Sequence, residues 1–99
     1  MEASETEIIE TADSLKEKGN DCVRKQNFKE AIVFYSEAIR KAENENGHIL
    51  YSNRSLAYLK NKEYYYALAD AEKVIEIAPE YIKGHFRRAE GNYLLLLDL

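Results

Sequence analysis

In the stretch YIKGHFRRA, residues 81–89, Lys83 and Arg87 stand four residues apart, with Arg88 beside them. On a helix Lys83 and Arg87 share one face, where like charges at that spacing repel by about 0.2–0.5 kcal/mol. A basic patch for nucleic acid, a solvated helix face and a seat for a carboxylate would each account for the cluster. Earlier in the chain Lys16 and Asn20 repeat the four-residue spacing, in SLKEKGN, and Asn53 stands inside YSNRSLAYL. Asn is a poor helix former, so two of them inside helical patterns ask for a reason. Lys offers a compact charge with several donors, Arg a rigid fork that matches two oxygens, and Asn neutral donors. A set of this kind can hold carboxylates without all the repulsion that five cations would bring.

The rest of the chain narrows the choice. Its 99 residues make room for one small domain. At 45% hydrophobic and 32% charged, it reads as a folded chain rather than a disordered one. Fourteen cations against eighteen acids leave a net charge of -4. That balance argues against nucleic acid as a partner, because neutralising phosphates takes an excess of Lys and Arg. Cys22 is the single cysteine, so no disulfide can close within the chain. Inside a helical pattern it reads as a small core hydrophobe, not a nucleophile. His48 and His85 lack a second ligand at metal spacing. No glycine-rich phosphate loop and no Ser-His-Asp set is present, so neither a cofactor nor catalysis is expected. MEASETEIIE lacks the basic start and apolar run of a signal peptide, and YLLLLDL is too short to span a bilayer. The expected location is cytoplasmic.

Five helices must position the donors. Residues 1–11 read as an acidic extension, either frayed or capped through Ser4 and Glu7. From Thr11 onward Leu15, Gly19, Cys22 and Val23 recur at three- and four-residue steps. Phe28, Ala31, Ile32, Tyr35, Ala38, Ile39 and Ala42 form the stripe of a second, strongly amphipathic helix. Leu50, Tyr51, Leu56, Tyr58 and Leu59 mark a third, and Ala67, Leu68, Ala71, Val74, Ile75 and Ala78 a fourth. Pro79 separates it from a fifth, over roughly 81–95. Val and Ile keep helical spacing throughout, so the expected fold class is all-α: antiparallel helical hairpins in series.

Two alignments of the chain with itself fix the arrangement. FKEAIVFYSEAI laid over YYYALADAEKVI pairs Ala31 with Ala67 and Ile39 with Ile75, an offset of 36. Residues 52–57 laid over 86–91 give an offset of 34. The two extra residues fit the turn at Glu43–Gly47. A helix pair recurring at about 34 residues is the tetratricopeptide (TPR) period. The chain resembles a TPR domain over nearly its whole length. Repeats are expected at about 12–45 and 48–81, with the first helix of a third at 82–97. The partner helix of that third repeat is missing from the pattern. Leu94, Leu95, Leu96, Leu97 and Leu99 should therefore lack part of their covering surface, in a truncated fragment or a chain that self-associates.

In such a domain the first helix of each pair lines a concave groove. The first, third and fifth helices carry all five donors. SLKEKGN, YSNRSLAYL and YIKGHFRRA resemble the three segments of the dicarboxylate-clamp TPR domains, co-chaperone modules that bind C-terminal Glu-Glu-Val-Asp tails of cytosolic heat shock protein 90 and 70 chaperones. Lys16, Asn20, Asn53, Lys83 and Arg87 match the clamp pattern at all five places. Among clamp domains the segments look most like those attached to a serine/threonine phosphatase, and next like the chaperone-organising adaptors. The resemblance implies a non-catalytic adaptor. Leu56, Leu59 and Lys60 are candidates for a shallow pocket taking a peptide side chain, with core packing as the alternative. A groove packed against another domain, as in autoinhibition of an attached phosphatase, is the other function to weigh.

Overall fold

The computed structural model describes residues 10–43 and 46–98. They form five helices: α1 (Ala12–Arg24), α2 (Phe28–Lys41), α3 (Gly47–Lys60), α4 (Tyr64–Ile77) and α5 (Ile82–Leu97). Consecutive helices pack as neighbours, and α3 also touches both α1 and α5. The odd-numbered helices therefore lie side by side along one layer. Ser4, Glu7 and Leu99 fall outside the described residues, as do positions 44–45 of the longer turn.

Helix α1 starts where its sequence allows it. Thr11 is the N-cap: its hydroxyl accepts from the Ser14 N–H at 3.0 Å, while the Thr11 N–H donates to Ser14 Oγ at 2.9 Å. This reciprocal pairing satisfies two of the orphan donors at a helix start.

The internal repeat extends to the turns. Gln26 closes α1 in the left-handed region at φ 63°, and Lys62 closes α3 at φ 63°. The N–H of Gln26 donates to the Val23 carbonyl at 2.9 Å and that of Asn27 to Cys22 at 2.7 Å. The same two bonds recur from Lys62 to Leu59 at 3.1 Å and from Glu63 to Tyr58 at 2.9 Å. Both pairs tie up carbonyls that a helix end leaves bare. A non-glycine residue in that region costs about 1–2 kcal/mol, which the two bonds offset. Every partner moves by the offset of 36 seen in the sequence.

Small residues set the packing distance. Ala31, Ala38, Ala57, Ala67 and Ala71 are all fully buried. A Cβ placed on Gly19 would lie 2.5 Å from Tyr35 Cε1, so the tyrosine ring of α2 rests on the bare backbone of α1. A Cβ on Gly84 would meet Val74 Cγ1 at 2.7 Å, and one on Gly91 would meet Leu68 at 2.9 Å. These two glycines seat α5 against α4. Around the contacts Leu15, Leu50 and Val74 are buried, each worth about 1.5–3 kcal/mol of transfer free energy.

One polar cluster sits among them. Asp70 is buried on α4 and takes both ends of the Arg54 fork from α3, at 2.8 and 2.7 Å. Arg54 also donates to Ser36 Oγ of α2 at 3.0 Å, and its guanidinium lies 5.4 Å and 5.6 Å from the Tyr51 and Tyr58 ring centres. Burial pushes the Asp70 carboxyl up, and the Arg54 hydrogen bonds and charge draw it part of the way back. The cluster joins three helices through a single side chain. On α4 Tyr65 and Tyr66 are exposed, with Tyr66 stacked on Tyr58 at 5.3 Å.

Asp70→Ala strands the Arg54 charge in a half-buried site and should cost about 3–5 kcal/mol, read as a lower urea midpoint at unchanged slope. Replacing both partners with apolar residues of similar volume should recover most of that loss. A second test uses pH. Burial raises the Tyr35 phenol from its ordinary 10.0 to about 12, with the Cys22 and Glu17 charges adding to it. A group raised on folding stabilises the protein while it stays protonated. Its contribution is therefore complete below pH 10 and is lost as pH climbs through about 12. The loss is about 2–3 kcal/mol at ~1.4 kcal/mol per unit. Tyr35→Phe has no such proton, so wild type and variant should converge in stability over that window; parallel curves would refute the assignment.

Candidate functional site

The five donors occupy α1, α3 and α5, the three helices of one layer. Their surroundings differ. Asn20 and Asn53 are half-buried and bonded to each other, the Asn53 Nδ2 donating to Asn20 Oδ1 at 3.4 Å. The Tyr35 hydroxyl donates to the same oxygen at 2.6 Å. Both lone pairs of the Asn20 carbonyl are thereby used, which leaves its NH2 group to donate elsewhere. The amide is a donor by construction, and α1 and α3 are tied together at this point.

Lys16 stands one turn before Asn20, half-buried, with its ammonium 3.8 Å from Asp13 on an exposed flank. It also lines a pocket of 390 Å³ between the start of α1, the end of α2 and the start of α3. Lys41, Glu43 and Asn46 are other walls of that pocket. Of the five donors, the pocket includes Lys16 alone.

On α5 the two cations are unequal. Lys83 is exposed and makes no hydrogen bond or ion pair among the described residues. Arg87 is tucked in, its side chain only 13% exposed, with one terminal nitrogen 3.2 Å from Glu90 Oε1. Its Nε is enclosed and has no partner among the described residues. Arg88, the third cation of the stretch, is exposed. No hydrogen bond joins the α5 pair to the α1–α3 pair among the described residues; the contact of α3 with α5 is what brings them near. The structure thus bonds Asn20 to Asn53 across α1 and α3, and carries Lys83 and Arg87 one turn apart on α5.

The proposed side-chain pocket is divided differently. Leu59 is buried, 5% exposed, and its Cδ2 would lie 3.8 Å from a Cβ on Gly91. It belongs to the α3–α5 packing. Leu56 is half-buried and Lys60 exposed, so these two remain reachable from outside.

Three participants were absent from the sequence reading of the site. Tyr35 was read only as part of the α2 stripe; its hydroxyl also donates to Asn20. Glu90 is three residues from Arg87, a helical neighbour that the spacing alone could have flagged. Ser52, next to Asn53, is buried with its hydroxyl unpartnered among the described residues, and no sequence signal marks it.

No family model matches the chain. It is 45% identical over 87 residues to serine/threonine-protein phosphatase 5 of Homo sapiens, covering 88% of this chain and 17% of that protein. Over 84 residues it is 39% identical to the Hsp70-Hsp90 organizing protein of Triticum aestivum, covering 85% of this chain and 14% of the relative. The chain therefore spans about a sixth of the length of these relatives. Its fold matches the Sgt2 TPR domain from Aspergillus fumigatus with a TM-score of 0.81 at 28% identity, over 86% of this chain and 55% of that one. The Arabidopsis OM64 TPR domain matches with a TM-score of 0.81 at 29% identity, over 87% and 69% of the two chains. Helix order, recurring turns and relatives agree: the chain belongs to the tetratricopeptide repeat family, as an interaction module of about two and a half repeats.

Proposed function

We propose that this domain captures the acidic C-terminal peptides of cytosolic heat shock protein 90 and 70 chaperones, acting as a non-catalytic co-chaperone adaptor in the cytoplasm. The observation that carries the reading is the Asn20 amide. Its carbonyl is held by Tyr35 and Asn53, so its NH2 is committed to donate, one turn from Lys16. A neutral donor oriented in this way beside a lysine suits a carboxylate. Lys16, Asn20 and Asn53 would hold the terminal carboxylate of the peptide. Lys83 and Arg87 would take the acidic side chain and nearby backbone oxygens. The likeness to an organizing protein named for Hsp70 and Hsp90 supports the choice of partner.

A second reading follows from the likeness to phosphatase 5, of which this chain matches 17%. There the same groove would pack against an attached catalytic domain and restrain it. Failure of free peptides to bind, with Arg87→Ala altering only domain association, would favour this reading.

Calorimetric titration of a Met-Glu-Glu-Val-Asp peptide decides between them. Capture predicts an affinity near micromolar, about -8 kcal/mol, weakening as salt rises. Arg87→Ala should lower it at least tenfold, with about 1.4 kcal/mol corresponding to each factor of ten. Equal binding of the peptide with an amidated C-terminus would sink the clamp.

A further inference from the structure

We propose that Glu90 competes with the ligand for Arg87: the domain holds its own carboxylate where an acidic peptide would place one, and releases it on binding. The inference rests on the peptide reading above and concerns the regulation of that same site. It starts from the edges of the Arg87 fork. A guanidinium offers a carboxylate two edges, a side edge through Nε and an end edge through its two terminal nitrogens. Arg54 uses its side edge, with Nε and Nη2 both bonded to Asp70. On Arg87 the side edge is shut. Its Nε is enclosed with no partner among the described residues, and the side chain as a whole is 13% exposed. The end edge is left, and there Nη1 donates to Glu90 Oε1 at 3.2 Å. An incoming carboxylate therefore needs the nitrogen that Glu90 holds.

Register and charge both favour competition over anchoring. By the internal repeat Glu90 stands 34 residues after Leu56, and Leu56 stands 36 after Asn20. One register thus carries Asn20 on α1, Leu56 on α3 and Glu90 on α5, and the first two are candidates for the ligand site. The Glu90 side chain is 38% exposed, so the acid can swing into water while the enclosed cation stays. Both partners belong to α5, so the contact forms within a single helix. Lys16 is treated alike at longer range, with Asp13 of its own helix 3.8 Å away. Lys16, Lys83 and Arg87 set against Asp13 and Glu90 leave the empty site one positive charge in excess. A peptide that ends in an acidic residue brings two carboxylates. Removing Glu90 raises the excess to two and matches that ligand, which is the complementarity a competing acid withholds.

The test is calorimetric titration of parent, Glu90→Gln and Glu90→Ala with the Met-Glu-Glu-Val-Asp peptide. Gln and Ala are both good helix formers, so the helical circular dichroism should match that of the parent. Each variant should bind about threefold more tightly at low salt. The gain is electrostatic, so it should shrink as salt rises from about 50 to 500 mM. It should also vanish with a peptide ending in Asn instead of Asp, which brings Arg87 no acidic side chain. A gain that came from altered packing would persist with that peptide. Acid-dependent binding by the parent, with no gain or a loss in both variants, would overturn the competition and leave the peptide reading standing. Equal binding of the amidated peptide by all three chains would overturn the peptide reading, and this inference with it. So would failure of all three to bind. Binding by the variants alone would support the competition in its strongest form.

Discussion

The Tyr35 hydroxyl reaches Asn20 because Gly19 has no side chain. The ring of Tyr35 occupies the space where a Cβ on Gly19 would sit, 2.5 Å away. That close approach brings the phenol oxygen to 2.6 Å from Asn20 Oδ1. Hence one contact does two jobs. It sets the spacing of the first hairpin, and it decides which end of the Asn20 amide is spoken for. A larger residue at position 19 would push α1 away from α2 and release the amide together. Packing and donor chemistry are coupled there at the level of single atoms.

The second hairpin solves the same spacing problem with different parts. Its position equivalent to Gly19 is Ser55 by the offset of 36, and Ser55 is buried with its hydroxyl donating to the Ala67 carbonyl at 2.8 Å. A small polar side chain thus replaces the glycine, and its hydrogen bond removes the cost of burying it. Arg54 and Asp70 then supply the orientation that the Tyr35 ring supplies in the first hairpin. A bidentate pair with low exposure is geometrically demanding, and breaking half of it costs far more than the pair contributes as a whole. Asn53 is the neighbour of Arg54, so the ion pair that fixes α3 against α4 also limits how α3 can turn Asn53 about its axis.

The fold was legible in the sequence because it is periodic. The α2 stripe from Phe28 to Ala42, the break at Lys25–Asn27 and the offset of 36 are local patterns, and the structure repeats them down to single turn hydrogen bonds. The five donors were legible as residue types at helical spacing. What spacing could not show is pairing across helices. Arg54 and Asp70 lie 16 residues apart on different helices, and no window on either helix contains both. An acid inside the apolar run ALADA was the available sign that a cation must approach it. Leu59 was ambiguous for the reverse reason: apolar residues on a helix look alike whether they meet a ligand or Gly91. The depth of Gly84 and Gly91 also escaped, since a glycine in a helix reads as a weakness until the neighbouring helix is in place.

Arg87 is the most enclosed of the three cations of α5. A guanidinium with an enclosed Nε and most of its surface covered would be costly if left without any acid. Glu90 supplies one, at i+3 on the same helix, on a more exposed flank. Only the Glu90 end of the pair is open to solvent, its side chain 38% exposed against 13% for Arg87. The contact holds one terminal nitrogen of the fork at 3.2 Å. Lys83 has no such companion among the described residues and stays in solvent. The helix thus keeps one cation paired and one exposed, and Glu90 offsets part of the repulsion expected between them.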